Sequence, residues 1–238
     1  MKQAKPVIAK KVLVIDVGGT HVKILVKGQK EPLKIPSGPT MTAQKMVSVV
    51  KSATKGWEYD CIALGYPGPI VNSRPLREPH NLGGGWVGFD FQKALGCPVR
   101  VINDAAMQAI GSYKGGRMLF LGLGTGLGSA MIMDGFLEPM ELAHLGYKKD
   151  KTYEDYLGLR GLERMGKKKW RQHVAKVTAK LKVALGADYV VLGGGNCKKL
   201  KDVPPGARLG CNENAFLGGF RLWEQGKTAI VANDSGVK

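Results

Sequence analysis

The sequence is poor in cysteine, poor in acid and without a long apolar run. Its four cysteines, Cys61, Cys97, Cys197 and Cys211, lie far apart and form no C-x-x-C pair. That spacing excludes a disulfide framework or a cysteine-built zinc site and fits a reducing, cytoplasmic setting. The longest uncharged run near the middle, residues 118–133, has 16 residues and four glycines, against the roughly 20 apolar residues of a membrane helix. The opening MKQAKPVIAKKVLVID has neither a long apolar block nor a small-residue cleavage site, so neither a signal peptide nor a membrane partner is expected. Acid is scarce enough to leave a net charge of +17, with 19 Asp and Glu against 36 Lys and Arg. Nucleic acid, a membrane surface, a polyanionic small molecule or a merely soluble basic surface would each account for it. Residues 147–186 hold twelve Lys/Arg against four Asp/Glu, a local net of +8, so much of the excess sits in one region.

What is present is organised around residues 12–26, VLVIDVGGTHVKILV. The β-branched arms read as strands and Gly18-Gly19 as the turn of a hairpin. Glycine there lets backbone N–H groups approach a phosphate, and the carboxylate of Asp16 suits Mg²⁺, directly or through water. An ordinary hairpin turn fits the same residues. With 238 residues, 44% of them apolar, the chain makes one large domain or two small ones.

Residues 1–11 are a basic lead-in, expected to fray. Residues 31–39 contain three prolines and read as a connection with a short strand at 33–35. Residues 42–55 read as a helix capped by Thr42, with Met46, Val49, Val50 and Ala53 on one face. A strand at 61–64 runs into Gly65-Tyr66-Pro67-Gly68-Pro69, a rigid loop at a strand end, where ligand contacts are common. His80-Asn81-Leu82-Gly83-Gly84-Gly85-Trp86 is a second glycine-rich loop, whose Trp86 is either a sugar platform or a lid over the core. A strand at 99–102 leads into Asn103-Asp104 and a helix over 105–113. Asp104 there is either a helix N-cap or a general base.

Residues 119–135 repeat the plan of the opening stretch: strand, Gly124-Thr125-Gly126 turn, strand, Asp134-Gly135 turn. The echo implies two halves of similar architecture, each offering one phosphate-binding hairpin. A dinucleotide fingerprint fails because Leu127 stands where Gly is required. Gly161, Gly166 and Lys167 match a P-loop pattern, but Lys168 replaces its Ser or Thr and no strand precedes it. Glu141 and His144 are spaced i, i+3, and Tyr153-Glu154-Asp155-Tyr156 follows. Residues 165–185 read as a long helix with Trp170, Val174, Val177, Leu181 and Leu185 on one face. Its lysine-rich remainder is either a solvated face or a cleft wall. A strand at 189–192 ends in Gly193-Gly194-Gly195-Asn196. A last helix at 212–223 has Gly218-Gly219 for close packing, and residues after 225 read as a loose tail.

In their order, Asp16-Val17-Gly18-Gly19-Thr20, Gly65-Tyr66-Pro67-Gly68, Asn103-Asp104, Gly124-Thr125-Gly126-Leu127-Gly128, Glu141-Leu142-Ala143-His144 and Gly193-Gly194-Gly195 resemble the ROK sugar kinases (repressors, open reading frames, kinases). These belong to the actin/hexokinase/Hsp70 superfamily, and the likeness, over about residues 12–223, leans to the polyphosphate glucokinase branch. It implies an α/β, two-domain actin-like ATPase (ribonuclease H-like) sugar kinase fold with a central cleft. A small N-terminal domain would span 1–105 and a larger one 106–225, its last helix packed back on the first, with a tail at 226–238. The resemblance implies a first phosphate loop of Asp16, Gly18, Gly19 and Thr20, with Asp16 on the Mg²⁺ side and Lys23 beside it. Gly124, Thr125 and Gly126 would form a second, and Gly193, Gly194 and Gly195 an adenosine-side loop. Asp104 would be the catalytic base. Asn103, Glu141, His144 and Glu154, joined by Gly68 and Asn81, would bind sugar.

The implied reaction is phosphoryl transfer from ATP or inorganic polyphosphate to the 6-hydroxyl of glucose, in a homodimer. The alternatives are a kinase for mannose, fructose or an N-acetylhexosamine, or a non-catalytic sugar-binding regulator. There are departures from the family pattern. Residues 145–152, LGYKKDKT, lack the cysteines that hold zinc in many members, so zinc is not expected. Ala143 replaces a usual glycine. About eleven residues precede the first strand, too few for the DNA-binding helix-turn-helix of the repressor members, so no DNA partner is expected.

Overall fold

The computed structural model describes residues 11–211, 213–224 and 231–232. The opening arms form β1 (Val12–Val17) and β2 (His21–Val26), antiparallel about the Gly18-Gly19 turn, with Asp16 opposite Lys23. All of β1 is buried, which explains its unbroken apolar run. β3 (Leu33–Pro36) pairs with β2. α1 (Ala43–Ala53) starts where Thr42 Oγ1 accepts the Lys45 N–H at 3.2 Å. β4 (Cys61–Tyr66) runs parallel to β1 and takes in Gly65 and Tyr66, so the expected rigid loop begins only at Pro67. A small hairpin of β5 (Ile70–Val71) and β6 (Arg74–Pro75) follows, then α2 (Phe91–Leu95) and β7 (Val99–Asn103), which is parallel to β4. The first sheet thus has the order β3-β2-β1-β4-β7.

α3 (Asp104–Ser112) leads into β8 (Arg117–Leu123), β9 (Leu127–Met133) and β10 (Phe136–Met140). The Asp134-Gly135 turn between β9 and β10 has φ of 51° and 89°, conformations that suit a short polar residue and glycine. A 3₁₀ turn at Leu142–His144, a hairpin of β11 (Gly146–Lys148) and β12 (Lys151–Thr152), and α4 (Tyr153–Leu157) connect to α5 (Leu159–Ala184). α5 begins six residues before the predicted 165, and Gly166, at φ 75°, breaks it into two segments. β13 (Tyr189–Gly193), β14 (Ala207–Leu209) and α6 (Asn214–Arg221) follow. The second sheet has the order β14-β13-β8-β9-β10-β15, where β15 is Val231–Ala232. Its hairpin β8–β9 answers β1–β2, and its parallel partner β13 answers β4.

Three apolar clusters define the layers. Leu13, Ile15 and Ile24 on one face of the first sheet pack with α1, α2 and Trp86. Val12, Val14 and Ala63 on its other face share a core with α3, α6 and Phe120, Ile132 and Val191 of the second sheet. Leu119, Leu121 and Leu192, on the far face of that sheet, pack with α4 and with Trp170, Val174 and Leu181 of α5. α3 and α6 therefore lie between the two sheets, while the predicted apolar face of α5 covers the outside. Residues 1–10 of the lead-in and most of the tail expected after residue 225 lie outside the described residues. Within that tail, Val231–Ala232 pair in parallel with Phe136 and Leu137 rather than hanging loose.

The two central helices cross on glycine. A methyl group on Gly218 would strike the Met107 carbonyl, one on Gly111 would strike the Asn214 carbonyl, and one on Gly219 would sit 2.6 Å from Val14. α6 also reaches the first sheet beyond its own end, where Trp223 Nε1 donates to the Ile62 carbonyl at 3.1 Å. Gly218→Ala and Gly111→Ala should each lower the unfolding free energy by about 2–4 kcal/mol in urea titrations. Gly146→Ala, at a position open to solvent, should change it by less than about 0.5 kcal/mol.

Candidate functional site

β7 ends and α3 begins at Asn103-Asp104. Asn103 is the cap: its Oδ1 accepts the Ala106 N–H at 3.1 Å and its Nδ2 donates to the Gly68 carbonyl at 3.0 Å. The N-cap alternative for Asp104 is therefore wrong, because the residue before it already fills that position. Asp104 Oδ1 accepts the N–H of Ala105 at 2.8 Å. The first turn of α3 touches both sheets. A side chain on Gly65 of β4 would run into Met107 and lie 3.7 Å from Asp104 Cα, and one on Gly128 of β9 would lie 2.6 Å from Ala105 Cβ.

Asp16 stands at the end of β1, 8% exposed, with Lys23 Nζ 3.2 Å from its Oδ2. Burial first, and then the like charge of Asp16, push the Asp104 carboxyl up to about 7 from an ordinary 3.8. The backbone N–H groups of Ala105 and Asp104, and then Lys23, oppose the rise. Asp16, Lys23 and Asp104 thus form one electrostatic group.

The first glycine turn is held from behind. Gly18 N–H donates to the His21 carbonyl at 3.0 Å, and Ser37 Oγ donates to the Gly18 carbonyl at 2.6 Å. Asn81 leans on Gly19, its Cβ 3.2 Å from where a methyl group would be. Thr20 is exposed beside His21, Nδ1 to Oγ1 3.3 Å. In the second turn, Gly124 N–H lies 3.2 Å from the Gly126 carbonyl. The third turn is sewn to the second: Asn196 donates its backbone N–H to the Leu123 carbonyl and its Nδ2 to the Gly124 carbonyl, both at 2.8 Å. Gly194 has φ 80° and lies so close to the Leu123 backbone that a side chain would collide. Gly193 would strike the Phe120 ring, whereas Gly195 is open.

The residues expected on the sugar side fall into separate places. Glu141 and His144 pair with each other at 3.9 Å, with side chains 66% and 74% exposed. Ser129 Oγ fixes their segment to β9, donating to the Met140 carbonyl at 2.7 Å and accepting the Leu142 N–H at 3.2 Å. Glu154 is instead at the second turn, where its Oε2 accepts the Leu127 N–H at 3.2 Å and its Oε1 meets Arg160 at 3.1 Å. Trp86 is wholly buried against Tyr66 and Phe91, and its Nε1 donates to the Gly83 carbonyl at 2.7 Å. It is a core residue, so the sugar-platform alternative falls.

Ser37 and Arg160 escaped the sequence reading, as did the contact of Tyr147 Oη with His173 Nδ1 at 3.0 Å. Asn196 was visible after the three glycines, but its bond to the other turn was not. The lysine-rich side of α5 faces away from the second sheet, in the outermost layer, with Arg171 Nε donating to the Lys199 carbonyl at 2.7 Å.

Mg²⁺ takes one or two carboxylates and fills the rest of its shell with water and phosphate oxygens. Asp16, charge-coupled to Asp104 at the mouth of a glycine turn, fits that donor set. Among the described residues no group of three or more His, Cys, Asp or Glu could hold a metal, so water and a phosphate donor would supply the other ligands.

Two matching α/β halves, with the start of α3 touching a strand of each, define the class of the fold, that of the actin-like ATPases. Solved structures share the fold. The inorganic polyphosphate/ATP-glucomannokinase from Arthrobacter sp. strain KM matches with a TM-score of 0.73 at 24% identity, over 89% of this chain and 97% of that one. A ROK family glucokinase from Streptomyces griseus, in complex with glucose and AMPPNP, matches with a TM-score of 0.68 at 16% identity, over 91% and 100%. The chain belongs to the ROK family, whose model matches residues 12–139. A polyphosphate glucokinase of Mycobacterium tuberculosis (strain CDC 1551 / Oshkosh) is 28% identical over 214 residues, 78% of this chain and 77% of that protein.

The Asp16–Lys23–Asp104 group is testable without any substrate. In carboxyl NMR, Asp16→Asn should lower the Asp104 midpoint below about 7 by removing a like charge. Lys23→Met should raise it by removing an attraction. A carboxyl whose pKa is raised on folding favours the folded state when protonated. Its contribution is therefore whole below pH 3.8 and is lost as pH climbs through about 7.

Proposed function

We propose that this chain is a hexose kinase of glucokinase type, transferring a phosphoryl group from polyphosphate or ATP to the 6-hydroxyl of glucose. The observation that carries it is the position of Asp104, at a helix start touching Gly65 of one sheet and, through Ala105, Gly128 of the other. A sugar hydroxyl is a weak nucleophile at neutral pH, and a carboxylate within hydrogen-bond reach accepts its proton as attack on phosphorus develops. A carboxyl raised to about 7 is a stronger base than an ordinary aspartate and is still largely ionised just above neutrality. Asn103 and Gly68, bonded to each other beside it, would serve the acceptor side, and Glu141, His144 and Asn81 would be further hydroxyl partners. Gly19 and Thr20 on one side and Thr125 and Gly126 on the other would cradle the donor phosphates with backbone N–H groups, while Gly18 and Gly124, bonded within their own turns, would shape the loops. Lys23 would add positive charge there. Gly193, Gly194 and Gly195 would line the adenosine side when ATP is the donor. Mg²⁺ held through Asp16 would neutralise charge on the transferring phosphates. Closing of residues 1–105 on 106–225 would exclude water, so that the donor is not hydrolysed.

For the donor, the likeness to polyphosphate glucokinase and the net +17 favour a polyanion. The outward turn of the α5 lysines weakens the part of that case that rests on residues 167–182. A coupled assay offering glucose and mannose with ATP or polyphosphate separates the donors and the sugars. Glucose 6-phosphate formation is the expected result, and transfer to no hexose from either donor would overturn the kinase reading. Asp104→Asn should lower kcat by at least about 10²-fold, with the dissociation constant for sugar within threefold in equilibrium binding. In the wild type, kcat/KM should fall about tenfold per pH unit below about 7 and be flat above it, because the ionised carboxylate is the active form.

A further inference from the structure

We infer that Arg160 binds the phosphate chain of the donor, held ready at the second glycine turn by Glu154 and Asp155. The inference rests on the kinase reading above and adds a donor-side residue to it. The backbone brings Arg160 to the turn. Leu159 N–H donates to the Thr125 carbonyl at 3.1 Å, so the residue before Arg160 is bonded to the centre of Gly124-Thr125-Gly126. Gly158 makes that approach possible: a side chain there would lie 2.9 Å from both the Thr125 and the Glu154 carbonyls.

The side chains complete the link. One oxygen of Glu154 accepts the Leu127 N–H at 3.2 Å, and the other is 3.1 Å from Arg160 Nη2. The same nitrogen is 3.7 Å from Asp155 Oδ1. A single carboxylate therefore bridges the backbone of the turn and the guanidinium.

The state of that guanidinium points to a ligand. Its side chain is 68% exposed, and an ion pair so open to water contributes little to stability. It thus holds the guanidinium in place weakly, and a phosphate group can displace it. A guanidinium fork matches phosphate oxygens in pairs and is rarely matched by lysine in that geometry. Arg164, the nearest other guanidinium along the helix, is differently committed: it donates to the Asp155 carbonyl at 2.8 Å and lies over the Tyr156 ring. Arg160 is instead paired with carboxylates, that of Glu154, which meets the Leu127 N–H, and that of Asp155 beside it in α4.

The test compares Arg160→Gln, Arg160→Lys, Glu154→Gln and Lys180→Gln, the last removing a charge from the far part of α5. Steady-state KM is measured for glucose and for each donor, ATP and tripolyphosphate, across a range of salt. Arg160→Gln should raise donor KM tenfold or more, leave sugar KM within twofold, and make donor KM rise less steeply with salt than in the wild type. Arg160→Lys should keep the slope but recover only part of the KM. Lys180→Gln should behave as wild type. If Arg160 serves only to hold Glu154 on the turn, Arg160→Gln and Glu154→Gln will raise donor KM equally and leave the salt slope alone. That result, or an unchanged donor KM, overturns the inference. Calorimetric binding of tripolyphosphate to wild type and Arg160→Gln gives the same decision without turnover. Lost affinity in the variant supports Arg160 even if no hexose is phosphorylated, in which case the kinase reading alone fails.

Discussion

Gly111 and Gly218 meet with no side chain between them, and much of the molecule is set by that contact. Helices that cross on glycine approach more closely than helices separated by larger residues, and here the crossing pair is the filling between two sheets. The thickness of that layer fixes the distance between β1–β2 and β8–β9, and hence between their glycine turns. α3 belongs to the crossing pair and carries Asp104 at its first position. The same packing that holds the halves together therefore aims the carboxyl group. Gly65 and Gly128 do for the start of α3 what Gly111 and Gly218 do for its far end: each removes a side chain that would push the helix off one sheet.

Electrostatics at that helix start are balanced rather than neutralised. Burial and Asp16 work against ionisation of Asp104, while the backbone N–H groups of Ala105 and Asp104 and then Lys23 favour it. Capping falls to Asn103, one residue earlier. This division of labour matters, because a capping carboxylate would spend its lone pairs on N–H groups deep in the first turn. Aspartate at the next position accepts instead from the N–H groups of Ala105, at 2.8 Å, and of its own residue.

Much of this was legible in the chain. Apolar arms around Gly18-Gly19, and their echo around Gly124-Thr125-Gly126, read as paired hairpins, and the sheets carry both in matching positions. Thr42, Gly218 and the apolar face of residues 170–181 act as their residue types suggest. The errors have physical causes. Asn and Asp both cap helices, so spacing could not separate Asn103 from Asp104. Gly65 looks like a loop residue, but in β4 it is a strand residue that must lack a side chain because α3 lies on it. The start of α5 before residue 165 was hidden by Gly161 and Gly166, of which only the second breaks the helix. Glu154, grouped by motif with Glu141 and His144, also bonds the strand that leaves the second turn, and that tie, like the one to Arg160, depends on a backbone approach that no local pattern announces.

The last described helix also governs how the chain reaches its native state. Val14, in the first strand, is covered by Gly219, and Ile62 receives its bond from Trp223, 161 positions later. Arg100 likewise donates to the carbonyl of Leu222 and lies over the Trp223 ring. Part of one face of the N-terminal sheet is thus covered by residues 161 or more positions later in the chain. Contacts so distant in sequence make folding slow, and the waiting apolar face is a site for association with other nascent chains. Residues 214–223 fill the seam between the sheets, so a chain lacking them would leave Val14 and Ile62 without the partners that cover them.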